Sequence, residues 1–320
     1  MRPVHKSVLS LALVVFIGTG LAAGISGAQE GVRVCAVMAT KGVFSKAFIE
    51  CNDGLKDCLA MANEAGGING RRIHYFMEDT DYNVQESEAK LEQLWKTHRP
   101  LAMFGNSTGL SQAIAEKITK EYKTIYTSTS YSAVIANEGM YPSMFLAGPT
   151  YGQQVGILLT YIAKVNPGAK VALFYSDSEF GRDPIAFTRF QAQRLRLNLV
   201  TEQVVKLGAK DFTQQMAGLK AANPDFVIFH GFVLDPVPEV IKLCREQDMK
   251  CKFMGTFWGA TKDILDKLGP LSDGYLVVNP YSYWWNEEAP MIRKIREFTA
   301  KNHPDVQYRS NYYMQGFCAG

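Results

Sequence analysis

The turn Ala65-Gly66-Gly67-Ile68-Asn69-Gly70 constrains this fold more than any other stretch of comparable length. It closes a helix that the apolar spacing predicts from about Lys46 to Asn63. Glycine reaches the left-handed conformation at a helix C-terminus without steric cost. A strand, Ile73–Met77, follows the turn, and another, Val32–Met38, precedes the helix. Strand, helix and strand in this order predict an open α/β sheet. Such sheets take small molecules at the carboxyl ends of their strands.

The same rhythm continues. Leu101–Phe104, Thr124–Tyr126, Val171–Tyr175, Asp225–His230, Lys252–Met254 and Tyr275–Val278 read as short apolar strands. Helices are expected at about 111–122, 151–165, 182–195, 212–222, 238–247, 260–268 and 290–301. Nearly continuous apolar strands separated by helices mean parallel sheets covered on both faces. So many units would strain one sheet, so two are expected. The chain is expected to cross between lobes near Met144–Pro149, where an extended apolar segment meets a Gly-Pro stop, and to return near Gly274–Pro280. At 320 residues, 47% apolar and 20% charged, it has the length and composition for two such lobes.

Residues 1–28 read as a cleaved secretory signal: Arg2, His5 and Lys6, then the apolar run Val8–Ile17, then Ser26-Gly27-Ala28. The run is shorter than the ~20 residues a membrane span needs. No lipobox precedes Cys35, so a soluble, periplasmic protein is expected. The net charge is +3, and removing Arg2 and Lys6 leaves +1 with no basic run, which argues against a nucleic-acid partner. Of six cysteines, Cys51 and Cys58 share one helical stripe and read as small buried groups. Cys244 and Cys251 flank a helix end and a turn, and are the candidate disulfide. No metal or cofactor is expected: there is no CxxC, and no Walker loop or GxGxxG phosphate cradle. The chain lacks HExxH, and Gly105-Asn106-Ser107-Thr108-Gly109, although it fits the short GxSxG pattern, is read as a ligand-holding loop, so an enzyme reading is not favoured.

Several loops placed just past strands could hold a ligand. Gly105–Gly109 opens a helix, and its amides with Ser107, Thr108 and Ser111 suit a carboxylate. The alternative is that these hydroxyls only cap the helix. Thr129, Ser130 and Tyr131 lie in the hydroxyl-rich loop 127–132. In the second half Phe180, Phe232, Phe257 and Trp258 follow strand ends, where a ring is less often core. Tyr281, Tyr283, Trp284 and Trp285 form a further aromatic run after Pro280 that either rims the cleft or packs the crossover, packing being the favoured reading.

Taken together, Asn63-Glu64-Ala65-Gly66-Gly67-Ile68-Asn69-Gly70, Glu179-Phe180-Gly181-Arg182-Asp183, Lys210-Asp211-Phe212-Thr213, Pro224-Asp225-Phe226-Val227, Phe253-Met254-Gly255 and Gly274-Tyr275-Leu276-Val277 resemble the leucine/isoleucine/valine type of periplasmic binding protein. The resemblance covers Val32–Gly320. It implies two Rossmann-like lobes joined by hinge crossovers, residues 29–147 with 279–320 and residues 148–278, with the ligand between them. It implies a monomer that delivers a small-molecule ligand to the membrane permease of an ABC transporter by closing its cleft. A ligand-sensing module of a signalling receptor is the alternative on the same fold. It further implies a first-lobe site at Ser107–Ser111, Thr129 and Tyr131, and a second-lobe site at Phe180, Phe232 and Phe257. Where amino-acid-binding members carry an acidic residue for the ligand's ammonium, this chain has Phe257 with Trp258 beside it. A buried ammonium without a counter-charge costs several kcal/mol, roughly, so a carboxylate with an aromatic or apolar body is expected. The sequence stops at Asn311–Gly320, which reads as mid-helix, so the C-terminal elements of the family appear truncated.

Overall fold

A computed structural model describes residues 30–320; the expected signal segment lies outside them. The first sheet is built from β1 (Val32–Met38), β2 (Ile73–Asp79), β3 (Ala102–Gly105), β4 (Ile125–Ser128) and β5 (Met144–Phe145), in the order β2-β1-β3-β4-β5, every pair parallel. Its helices are α1 (Ser45–Glu64), α2 (Val84–His98) and α3 (Thr108–Glu116), the last running on into a wider π turn over Lys117–Tyr122. The second sheet holds β6 (Lys170–Ser176), β7 (Asn198–Val205), β8 (Phe226–His230), β9 (Lys252–Gly255) and β10 (Leu276–Val277). Around it lie α4 (Tyr151–Val165), α5 (Glu179–Arg182), α6 (Ile185–Arg194), α7 (Thr213–Ala222), α8 (Val237–Glu246) and α9 (Lys262–Leu268). Read from β7, its order is β7-β6-β8-β9-β10, again all parallel. Both sheets therefore wind the same way, second strand, first, third, fourth, fifth. Each has its switch point beside its first strand, β1/β3 and β6/β8, where a doubly wound sheet offers its binding crevice.

The glycine turn behaves as its sequence demands. Gly66 and Gly67 take φ of +104° and +74°, and a Cβ on Gly67 would lie 2.1 Å from the Arg71 carbonyl oxygen. Asn63 locks the returning strand by accepting from the Ile73 N–H at 2.7 Å and donating to its carbonyl at 2.9 Å. Buried Phe48, Cys51, Leu55 and Leu59 form the α1 stripe against the first sheet, with Cys58 half-buried.

The last two helices, α10 (Pro290–Asn302) and α11 (Asn311–Ala319), return to the first sheet's side. There α11 lies so close to α1 that a Cβ on Gly54 would sit 2.0 Å from the Tyr313 carbonyl, and one on Gly316 would sit 1.8 Å from the Cys51 carbonyl. From this position α11 also reaches the other sheet's loops. The Tyr312 hydroxyl donates to the carbonyls of Trp258 at 2.7 Å and Val233 at 3.1 Å, and Asn311 donates to that of Ala260 at 2.7 Å. Cys244 and Cys251 are brought together by the turn after α8, in which Asp248 has φ +58°. Both thiols are buried there, and hydrogen bonding with Cys244 lowers the pKa of Cys251.

Candidate functional site

The carboxyl ends of both sheets face one another, and a cavity lies between them. Its lining comes from Phe44 and Phe48 after β1, Tyr82 after β2, Ser107 and Thr108 after β3, and Thr129 after β4. Tyr151 at the start of α4, Phe180 after β6, Val233 after β8 and Trp258 after β9 complete it. The cavity is small, about 10 Å³, room for roughly one water. A single apolar cluster runs from β1 and α1 through Tyr131, Tyr151 and Phe180 to Phe257 and Trp258, so the rings themselves close the space. Any organic ligand must part these rings.

One wall is polar. The Ser107 hydroxyl caps α3, accepting from the Leu110 N–H at 3.1 Å. The Thr108 hydroxyl lies 2.9 Å from that of Ser130 and 3.4 Å from that of Tyr151. Thr129 donates to the Asn106 carbonyl at 2.8 Å. The Trp258 indole N–H lies beside the Tyr151 hydroxyl without bonding to it, and is buried without a partner among the described residues. Burial pushes the Tyr151 hydroxyl up to about 12, so it stays protonated as a donor. The polar wall thus offers hydroxyls, an unpartnered N–H and a helix N-terminus, a set suited to an anion.

The opposite wall is aromatic and rigidly held. His230 spans the loops: Nε2 donates to the Phe180 carbonyl at 2.8 Å, and Nδ1 accepts from the Thr256 hydroxyl at 2.9 Å. Burial lowers its pKa to about 4. The unfolded chain binds the proton near the ordinary value of about 6.5. The folded pKa is depressed, so the stability contributed by neutral His230 is complete above pH ~6.5 and is lost as pH falls through about 4. The loss should amount to about 3 kcal/mol. Urea unfolding of the wild type should weaken across this window, and His230→Gln should flatten that part of the profile. An unchanged slope in the variant would remove His230 as its source.

Among the described residues, no charged side chain lines this cavity. Asp177 pairs with Arg182 at 2.6 Å and Asp235 with Lys267 at 2.8 Å. Asp183 closes the cleft edge, accepting from Ser132 and, at 3.3 Å, from Gln112. Burial raises its pKa.

Of the residues singled out in the sequence, Ser107, Thr108, Thr129, Phe180 and Trp258 meet at the cavity. Ser130 stands one hydrogen bond behind Thr108. Tyr131 and Phe257 form a second layer, their rings 5.6 Å apart. Ser111 faces away, bonded to the Ser107 carbonyl and to Tyr126 and Ser128. Phe232 turns into the second sheet's core, 5.9 Å from Phe174. Sequence reasoning misses five lining residues: Phe44, Phe48, Tyr82, Tyr151 and Val233. Phe44 and Tyr82 also follow strands, which is the signal that could have found them.

The sequence profile of the periplasmic binding protein family matches residues 31–320. The chain belongs to the periplasmic binding protein family. It is 25% identical over 208 residues to an amino acid binding protein of Pseudomonas aeruginosa, covering 65% of this chain and 55% of that protein, so the match spans about half of the relative. It is 21% identical over 264 residues to the Leu/Ile/Val-binding protein of Escherichia coli, covering 79% of this chain and 69% of that protein. Among solved structures, a branched chain amino acid ABC transporter protein of Thermus thermophilus with bound valine superposes with a TM-score of 0.83 at 25% identity, covering 91% of this chain and 76% of that one. These relatives of the periplasmic binding protein are named for binding solutes, and none of the three is named as an enzyme.

Proposed function

We propose that this periplasmic binding protein is the exported solute receptor of an ABC importer. Its lobes, residues 29–147 with 279–320 and residues 148–278, close on a small organic ligand, and the membrane permease reads the closed form. Export follows from the signal-like segment at 1–28. The ligand is an aromatic or otherwise apolar carboxylate. One observation carries this reading: a cavity at the two facing switch points has donors on one wall, rings on the other and no charged side chain among the described residues. A carboxylate finds donors there, whereas an ammonium finds no counter-charge. The valine of the Thermus relative is the main competitor.

Thermal-shift screening of the full chain separates the two. A ligand at 100 times its Kd stabilises by about 2.7 kcal/mol. Phenyl- and alkyl-carboxylates should raise the melting temperature by several degrees, and leucine and valine by less. If leucine or valine gave the larger shift, the ligand class would be wrong. Turnover of a compound without any shift would sink the receptor reading itself.

A further inference from the structure

Phe44 belongs to two cavities. Its ring forms part of the inner one, packing edge-on to Tyr82 at 4.7 Å between centroids, and it also borders an outer chamber of about 140 Å³ at the cleft mouth. That chamber is lined by Val43 and Phe44 from the first lobe and by residues 206–210 and 234–236 from the second. Lys206, Lys210 and Asp235 are its charged side chains. Asp235 is already held by Lys267 at 2.8 Å, whereas Lys210 lies 3.9 Å from it. The outer chamber is therefore cationic on balance, while the inner one is uncharged and rich in donors.

The segment that carries Phe44 is anchored on its β1 side and runs through an exposed turn before α1. Thr40 is pinned, its N–H and hydroxyl both donating to Asp79, at 2.9 and 2.6 Å. Gly42 follows with φ +75°, and Val43 is 66% exposed. Phe44 then precedes α1 without a side-chain cap. The Phe44 ring is buried, 6.5 Å from Phe48 and 4.7 Å from Tyr82 between centroids, so moving it aside means parting these contacts.

We propose that Phe44 is the gate that sets ligand length in this cleft. With the ring aside, the two chambers form one site for an elongated carboxylate. Its first carboxylate meets Thr108, Tyr151 and the Trp258 N–H, and its far end carries a second negative charge held by Lys206 and Lys210. This rests on the carboxylate reading above and adds both the length limit and the second charge.

Calorimetric titration with straight-chain monocarboxylates and α,ω-dicarboxylates of four to ten carbons tests it, on wild type, Phe44→Ala, Phe44→Leu and Lys206→Ala/Lys210→Ala. The wild type should prefer each dicarboxylate to its equal-length monocarboxylate by about tenfold, the 1.4 kcal/mol of one modest ion pair. Phe44→Ala should move the optimum to longer chains, with Phe44→Leu between. The double lysine variant should lose the preference for dicarboxylates. An unmoved optimum in Phe44→Ala overturns the gate, and a preserved preference in the lysine variant overturns the second charge. Binding of none of these acids by the wild type overturns the dianionic ligand, while the carboxylate reading itself stands or falls with the phenyl-carboxylates of the thermal-shift screen.

A second measurement judges the gate without any ligand. With Trp95, Trp284 and Trp285 replaced by Phe, acrylamide quenching reports Trp258 alone. Phe44→Ala should raise the quenching constant severalfold at unchanged circular dichroism; equal quenching would again overturn the gate.

Discussion

Replacing Asp57 by alanine is expected to lower the unfolding free energy by about 3–5 kcal/mol, the usual effect of removing one partner of a buried ion pair. Asp57 sits on α1 with its side chain 7% exposed, and Arg309, just before α11, is 9% exposed. The carboxylate accepts from Arg309 at 3.1 Å, from the His303 ring at 2.9 Å and from the Tyr313 hydroxyl at 2.8 Å. Without it the guanidinium keeps, among the described residues, the Asp53 carboxylate at 3.8 Å and the face of Tyr313 at 4.4 Å, and its Nε has no hydrogen bond among them even in the wild type. Asp57→Asn preserves the shape and part of the accepting capacity, and should cost about 1–3 kcal/mol. Pairing Asp57→Leu with Arg309→Met removes both charges and should cost less than Asp57→Ala alone. Urea titrations followed by circular dichroism give the values. A loss below about 1 kcal/mol in Asp57→Ala would mean that water reaches Arg309 and the pair is not buried. The same variant should weaken ligand binding, because α11 carries Tyr312, whose hydroxyl fixes the Trp258 carbonyl.

The apolar strands and the Gly66-Gly67 turn were legible because each is a local necessity: strands buried on both faces must be apolar, and a left-handed helix end calls for glycine. Two of the longer elements were not legible. β7 lies at a sheet edge, half-buried along most of its length, so Asn198–Val205 mixes Thr, Glu and Gln among its valines and gives no continuous run. α2 buries only Ser87, Leu91 and Leu94 beneath a charged surface, too thin a stripe to announce a helix. The shared winding of the two sheets was equally invisible, since strand order is a property of pairing and not of any one segment. For the candidate site, position after a strand was the useful rule, and it picked out Ser107, Thr108, Thr129, Phe180 and Trp258 as residues that line the cavity. It could not say which way a side chain turns. Ser111, one helical turn from Ser107, became part of the capping network. Phe232, beside Gly231 with φ +85°, was directed into the core instead of the cleft. Tyr151 reaches the cavity only because the chain changes lobes just before it.

Phe257 is where specificity and stability meet, and Phe257→Glu is expected to show both. The ring is fully buried, packed edge-on to Tyr131 at 5.6 Å and Tyr281 at 5.2 Å, and the backbone N–H donates to Gln154 at 3.0 Å. Losing the ring alone should cost about 3–5 kcal/mol. A carboxylate in its place would enter a cage whose nearest hydroxyls, those of Tyr131 and Tyr281, already bond each other at 2.6 Å. Burial would raise the new carboxyl's pKa above its unfolded value. Its charge penalty is therefore absent below the unfolded pKa and grows as pH rises through the folded one. The deficit relative to Phe257→Leu should be largest near pH ~7 and narrow toward pH ~5, as urea unfolding at both values would show. Binding should answer the ligand question in the same protein. If the cleft takes a carboxylate with an apolar body, a second negative charge behind Trp258 repels it, and affinity should fall at least tenfold, or about 1.4 kcal/mol. If the cleft instead takes an α-amino acid, the introduced glutamate would supply the missing counter-charge, and leucine or valine would bind more tightly than to the wild type. These outcomes have opposite signs, so one titration of each ligand against Phe257→Glu and Phe257→Leu decides between them even if both variants are less stable.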